Sequence, residues 1–291
     1  MLTRASLAVL MPAVFLTVSC SGSQSPSGPT PLPQPNSTMF YTAMGASDVN
    51  GVGASMECLD LFGECPASTG YVFVARRQLQ AKGFTVNFSQ LGIPTATIGR
   101  DFENLGNAHN HLVIGNLIEN EAPVVHAEST LITIFTGAND VNVVTGALGA
   151  GDGGSDQLGY INKQVSAFGA DYATLLNLLR GRAPSARIVV LNLPNMGAMP
   201  FLASASLAQR QAAQKLSVGM TTTVINPLTA GNALVIDMMC DPRSYQASTY
   251  SSDGFHPSDI GYAWIAGEVV SAATTSYKSP QASCAQMSLV P

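Results

Sequence analysis

Tyr41-Thr42-Ala43-Met44-Gly45-Ala46-Ser47-Asp48-Val49-Asn50-Gly51-Val52-Gly53 starts as a strand and breaks into a glycine-rich turn. Met39, Phe40, Tyr41 and Thr42 favour extended backbone. Gly45 lets the chain leave it, and Ser47 follows at the turn. In an open α/β sheet, ligands and reacting groups gather at the carboxyl ends of strands. Ser47 is therefore a candidate nucleophile, although a lone serine after a strand is more often just solvated.

Working outward from this stretch, strands and helices alternate. Tyr71–Lys82 carries Val72, Ala75 and Leu79 at helical spacing, with Arg76, Arg77 and Lys82 outward and Gly83 to close it. Phe84–Phe88 reads as the second strand. Thr130–Phe135 and Arg187–Leu193 are apolar runs of the kind that strands covered on both faces show. Tyr160–Arg180 places Ile161, Val165, Phe168, Tyr172, Leu175, Leu176 and Leu179 on a helical stripe. Ala205–Val218 supplies another helix, Leu234–Asp237 the last strand, and Ile260–Ala273 a closing amphipathic helix. This order specifies a three-layer α/β/α domain around a parallel sheet. Gly146–Ser155 reads as a loop. Its Gly149, Gly151 and Gly154 match a dinucleotide spacing, but no strand directly precedes them and Asp152 and Asp156 would repel a phosphate.

Two further stretches give Ser47 partners. Phe135-Thr136-Gly137-Ala138-Asn139-Asp140 ends an apolar strand, and Asp253-Gly254-Phe255-His256-Pro257 precedes the last helix. In this chain order they resemble the SGNH (GDSL-type) hydrolase family over roughly residues 38–277. The resemblance implies a five-stranded sheet of flavodoxin-like order and a catalytic Ser47, Asp253 and His256. It also implies an oxyanion hole from the Ser47 N–H, the Asn139 side chain and one backbone N–H of the segment Gln90–Ile98. Counting from Asn87 gives that last role to Gly92, whereas aligning Leu91-Gly92-Ile93-Pro94 gives it to Thr95. Leu193-Pro194-Asn195-Met196-Gly197 resembles the family's loop after the same strand. One departure stands out: the family's Gly-Asp-Ser is here Gly45-Ala46-Ser47, with Asp48 after the serine.

The chemistry agrees with these residue types. A serine hydroxyl is a poor nucleophile at neutral pH and needs an imidazole to take its proton, oriented by a carboxylate. Asp253, three residues before His256, can curl back to Nδ1 and leave Nε2 for Ser47. Blander roles compete: Asn139 and Asp140 as an Asx turn, Asp253 as the cap of the last helix. His109 and His111 read as an exposed helix face, since a His-x-His without an acidic partner is a weak metal motif.

Composition sets the outer bounds. The 291 residues are 46% hydrophobic and only 11% charged, with a net charge of −5 and no basic cluster, which argues against nucleic acid. Residues 1–20, with Arg4 and the apolar run Leu7–Val18, read as a secretory leader. Leu16–Cys20 resembles a bacterial lipoprotein processing site with Cys20 as the lipid anchor, ordinary cleavage nearby being the alternative. Residues 21–37, rich in Ser and Pro, read as a disordered or extended linker, 38–278 as the hydrolase domain and 279–291 as a tail. Export makes Cys58, Cys65, Cys240 and Cys284 an even set in an oxidising compartment. They permit three pairings, of which Cys58–Cys65 is the local choice and Cys240–Cys284 then ties the tail.

The expectation is an exported monomer, periplasmic, surface-anchored or secreted, that needs no cofactor or metal and touches membrane only through an N-terminal lipid. Its partner is an ester: a small acyl ester, a lipid or an acetylated glycan. The rival is a catalytically silent module that binds glycan or lipid on the same scaffold.

Overall fold

The computed structural model describes residues 31–61 and 63–291. The leader with Cys20, and the linker as far as residue 30, lie outside them. Residues 31–37 form neither helix nor strand, and the Ser37 N–H closes a turn on the Gln34 carbonyl at 3.1 Å.

Five strands form one parallel sheet: β1 (Thr38–Gly45), β2 (Thr85–Gln90), β3 (Leu131–Phe135), β4 (Arg187–Leu191) and β5 (Leu234–Ile236). Their order is β2-β1-β3-β4-β5, the flavodoxin-like order. The chain moves from β1 to the edge strand β2 and then crosses to β3 on the other side. The crevice at this switch of direction opens at the carboxyl ends of β1 and β3.

Helices α1 (Tyr71–Ala81) and α6 (Asp259–Thr274) pack together over one face of the sheet. The other face carries α2 (Arg100–Ala108), α3 (Ala138–Gly149), α4 (Gln157–Arg182) and α5 (Leu207–Gly219). Alternation along the strands feeds both cores. In β4, Ile188 and Val190 enter the four-helix side, while Val189 and Leu191 enter the α1–α6 side. Burial on both faces is why β3 and β4 read as uninterrupted apolar runs. Each fully buried large side chain of this kind contributes about 1.5–3 kcal/mol.

Gly45 ends β1 with φ +146°, and a Cβ there would lie 2.2 Å from the Phe135 carbonyl oxygen. The residue before the serine turn therefore has no room for a side chain. Gly137, φ +111°, makes the equally sharp exit from β3 into α3.

Two expectations need correction. The sequence pattern gave no helix at α2, where only Phe102 and Leu105 are large and apolar among Asn, Gly and charged residues. The predicted Gly146–Ser155 loop begins too early, because α3 continues through Gly146 and Gly149. A Cβ at either glycine would meet nothing within 4 Å. These glycines face open space, and burial of Val141, Val144 and Leu148 holds the helix against their cost of about 1 kcal/mol each.

Cys58–Cys65 and Cys240–Cys284 are bonded, each pair with Cα atoms 5.7 Å apart. The tail beyond Cys284 docks on α5 and on the loop after β4. Gln214 and Val290 exchange two hydrogen bonds of 2.9 Å, and Asn195 Nδ2 donates to the Gln286 carbonyl at 2.9 Å.

Candidate active site

Ser47, at the turn after β1, lies against His256, which the segment before α6 brings across the sheet end. Ser47 Oγ is 2.8 Å from His256 Nε2, and His256 Nδ1 is 2.6 Å from Asp253 Oδ2. A carboxylate only accepts, so the proton sits on Nδ1 and Nε2 is free to accept from the serine hydroxyl. The helix cap is Ser258, whose Oγ accepts the Gly261 N–H at 3.3 Å. That leaves Asp253 to its own turn. Its Oδ1 accepts from Ser251 Oγ, the Phe255 N–H and the His256 N–H at 2.8, 2.8 and 2.9 Å. Partial burial pulls the Asp253 carboxyl up, but the bonds from the His256 ring, Phe255, Ser251 and the His256 backbone together bring it down to about 2. Ser251 escaped the sequence reading because a serine two residues from an aspartate carries no motif.

The two candidates for the second backbone donor separate in the structure. The Gly92 N–H is engaged by the Gln90 side-chain oxygen at 3.0 Å. A Cβ at Gly92 would lie 2.5 Å from Val49 Cβ, so the glycine serves close packing of the loop on the serine turn. Thr95 has φ +66°, a left-handed conformation that glycine adopts freely and threonine does not. Its side chain accepts the Ile114 N–H at 3.3 Å. Among the described residues, neither the Thr95 nor the Ser47 N–H has an intramolecular acceptor.

Asn139, in the first turn of α3, donates one amide hydrogen to the Ala96 carbonyl at 2.9 Å and keeps the second. Asp140 Oδ1 accepts the Ile98 N–H at 3.0 Å. Both side chains thus reach across to the Thr95 loop instead of forming a local Asx turn.

The chain matches the model of the GDSL-like lipase/acylhydrolase family over residues 43–264. The chain belongs to that family. With the family comes the reaction class, hydrolysis of carboxylic esters. Curated protein sequences give no match. Similar solved structures include a lipase from a goat rumen metagenome, 19% identical with a TM-score of 0.57, covering 81% of this chain and 98% of its own. An extracellular lipase from Streptomyces rimosus is 20% identical with a TM-score of 0.52, covering 81% of this chain and 100% of its own. An acetylxylan esterase from Geobacillus stearothermophilus is 14% identical with a TM-score of 0.50, covering 83% and 97%. At these identities the likeness is one of fold.

Within this GDSL-like hydrolase, Asp48 is buried beside an apolar chamber lined by Phe135, Ala138, Leu193, Met199, Tyr250 and Phe255. Burial pushes the Asp48 carboxyl up, with His256 opposing. Phe255 stands edge-on to His256, ring centroids 4.9 Å apart. On the other side of Asp253 an open groove is lined by Ser55, Glu57, Ser248, Ser251 and Ser252. His109 and His111 are not on a helix face. His109 closes α2 and meets Asp152 at 3.3 Å, and His111 follows it in a loop. His126 packs on Phe40, with ring centroids 4.8 Å apart.

Proposed function

We propose that this chain is an exported serine hydrolase that cleaves carboxylic esters through an acyl-enzyme, with Ser47 as nucleophile, His256 as general base and Asp253 as its orienting carboxylate. The observation that carries this is the continuous relay from Ser47 Oγ through His256 to Asp253, with both links within hydrogen-bonding distance. Ser47 Oγ attacks the ester carbonyl as Nε2 takes its proton. The resulting oxyanion is met by the Ser47 and Thr95 N–H groups and the free amide hydrogen of Asn139. Collapse expels the alcohol, which leaves with the proton held on Nε2, and water repeats the sequence to release the acid.

The serine-lined groove beyond Asp253 supports a hydroxylated alcohol. Lipases and an acetylxylan esterase are among the similar structures. The candidate substrates accordingly remain short acyl esters, lipids and acetylated glycans. Export is supported by the two disulfides, and anchoring through Cys20 rests on the leader sequence.

In folded protein, Ser47→Ala is expected to lower p-nitrophenyl acetate turnover by roughly 10⁴-fold or more and to abolish fluorophosphonate labelling. Retained turnover would reject Ser47 as the nucleophile. A wild-type chain that stays unlabelled would favour the silent binding module. An acyl-length series run beside acetylated xylan then separates esterase, lipase and carbohydrate esterase.

A further inference from the structure

Glu121 has no exposed surface and lies far from Ser47 in sequence, yet its Oε2 accepts the Gly45 N–H at 2.9 Å. The need for an acceptor there follows from the sheet. Pairing of β1 with β2 ends at Ala43 and Gln90, so at Gly45 no neighbouring strand offers a carbonyl on that edge. The Gly45 carbonyl accepts the Ile93 N–H at 3.1 Å, and the Ile93 amide also lies beside the Glu121 carboxyl. A buried N–H left unpaired is costly, and the carboxyl takes the place of the missing strand.

The segment that carries Glu121 is itself sewn to the Thr95 loop. Thr97 N–H donates to the Gly115 carbonyl at 3.2 Å, Leu117 N–H to the Thr97 carbonyl at 3.0 Å and Ile118 N–H to the Ile98 carbonyl at 3.2 Å. Asn116 then accepts the Glu119 N–H at 2.9 Å and starts the turn that swings Glu121 inward. The segment therefore reaches the nucleophile strand and the Thr95 loop at once. Residue 46, where the related motif has aspartate, is alanine, and a carboxyl reaches the strand end from residue 121 instead.

We infer that Glu121 is a positioning residue: its carboxyl, accepting the Gly45 N–H, fixes Ser47 in register with the Thr95 loop that binds the oxyanion. The inference rests on Ser47 being the nucleophile. Burial pushes this carboxyl well above the usual carboxylate range, against the Gly45 and Ile93 amides. Glutamine offers the Gly45 N–H an acceptor oxygen at the same reach.

The test compares Glu121→Gln, Glu121→Asp and Glu121→Ala with wild type in p-nitrophenyl acetate kinetics and in fluorophosphonate labelling rate, on protein shown to be folded by circular dichroism. Glutamine keeps the acceptor at its reach and is expected to hold kcat within about threefold. Aspartate, one methylene short, and alanine are expected to lower kcat about tenfold or more, with KM within about twofold and labelling slowed in parallel, as misplacement of reacting groups demands. Should the alanine variant fail to fold, the Asp–Gln pair decides. Equal kcat in those two overturns the inference, as does a change in KM alone. A labelled wild type with insensitive variants overturns this inference and leaves Ser47 standing, whereas an unlabelled wild type overturns both.

Discussion

Two regions flank Ser47, and they use carboxyl groups in opposite ways. On the His256 side, Asp253 is half-exposed and its two oxygens meet four donors, which bring it to about 2 despite partial burial. On the Thr95 side, Glu121 and Asp140 are fully buried, and each has one oxygen bonded to a backbone N–H and one without a partner. Burial raises Asp140 to about 7, against the Ile98 N–H, and raises Glu121 well above its usual range. Beside the His256 ring, the carboxylate is kept wet and saturated with donors. On the Thr95 side, a carboxyl raised by burial serves as an acceptor for a backbone N–H.

The comparison breaks first on Asp253. Asp253→Asn is expected to lower kcat by about 10⁴-fold, since the amide offers His256 the wrong hydrogen-bond partner. A loss near tenfold would mean that charge on that side matters little. Asn139→Ala tests the opposite flank and is expected to lower kcat by about 10²–10³-fold at near-constant KM, the usual effect of losing one oxyanion donor.

Stability against pH then separates the two flanks by sign. Asp140 is raised from its ordinary 3.8 to about 7, so it favours the folded state fully below about 4, and that advantage is lost as pH rises to about 7. Asp253 is depressed, so its contribution is present above 3.8 and is lost as pH falls toward 2. In Tm series across buffers, Asp140→Asn is expected to flatten the decline between about pH 4 and 7, and Asp253→Asn to flatten the acid limb. The smallest effect belongs to Thr95. With its hydroxyl removed in both variants, Thr95→Gly is expected to exceed Thr95→Ala in unfolding free energy by about 1 kcal/mol, because only glycine adopts φ +66° without strain.

The centre of the sheet was legible because β3 and β4 are buried on both faces and so announce themselves as apolar runs, as in Arg187–Leu191. The His256 flank was legible for a different reason: Asp253 and His256 are neighbours, and a three-residue spacing carries the geometry within itself. The other flank resisted. Choosing Thr95 over Gly92 needed a backbone angle and the Gln90 hydrogen bond, which no residue type signals. Glu121 was silent because its partner, Gly45, lies 76 residues away and its own segment has neither helical nor strand periodicity. Helix α2 was missed because packing against its neighbouring helices, with Phe102 edge-on to Phe168, outweighs weak local propensity.

The docked tail makes the two chain ends unequal as places for engineering. Leu193, Pro194 and Met196 line the apolar chamber, and Asn195 among them is held by the tail through Gln286. A purification tag joined after Pro291, or a strong reductant that opens Cys240–Cys284, therefore loads a wall of the apolar chamber, whereas a tag placed ahead of Thr38 loads the opposite rim of the sheet.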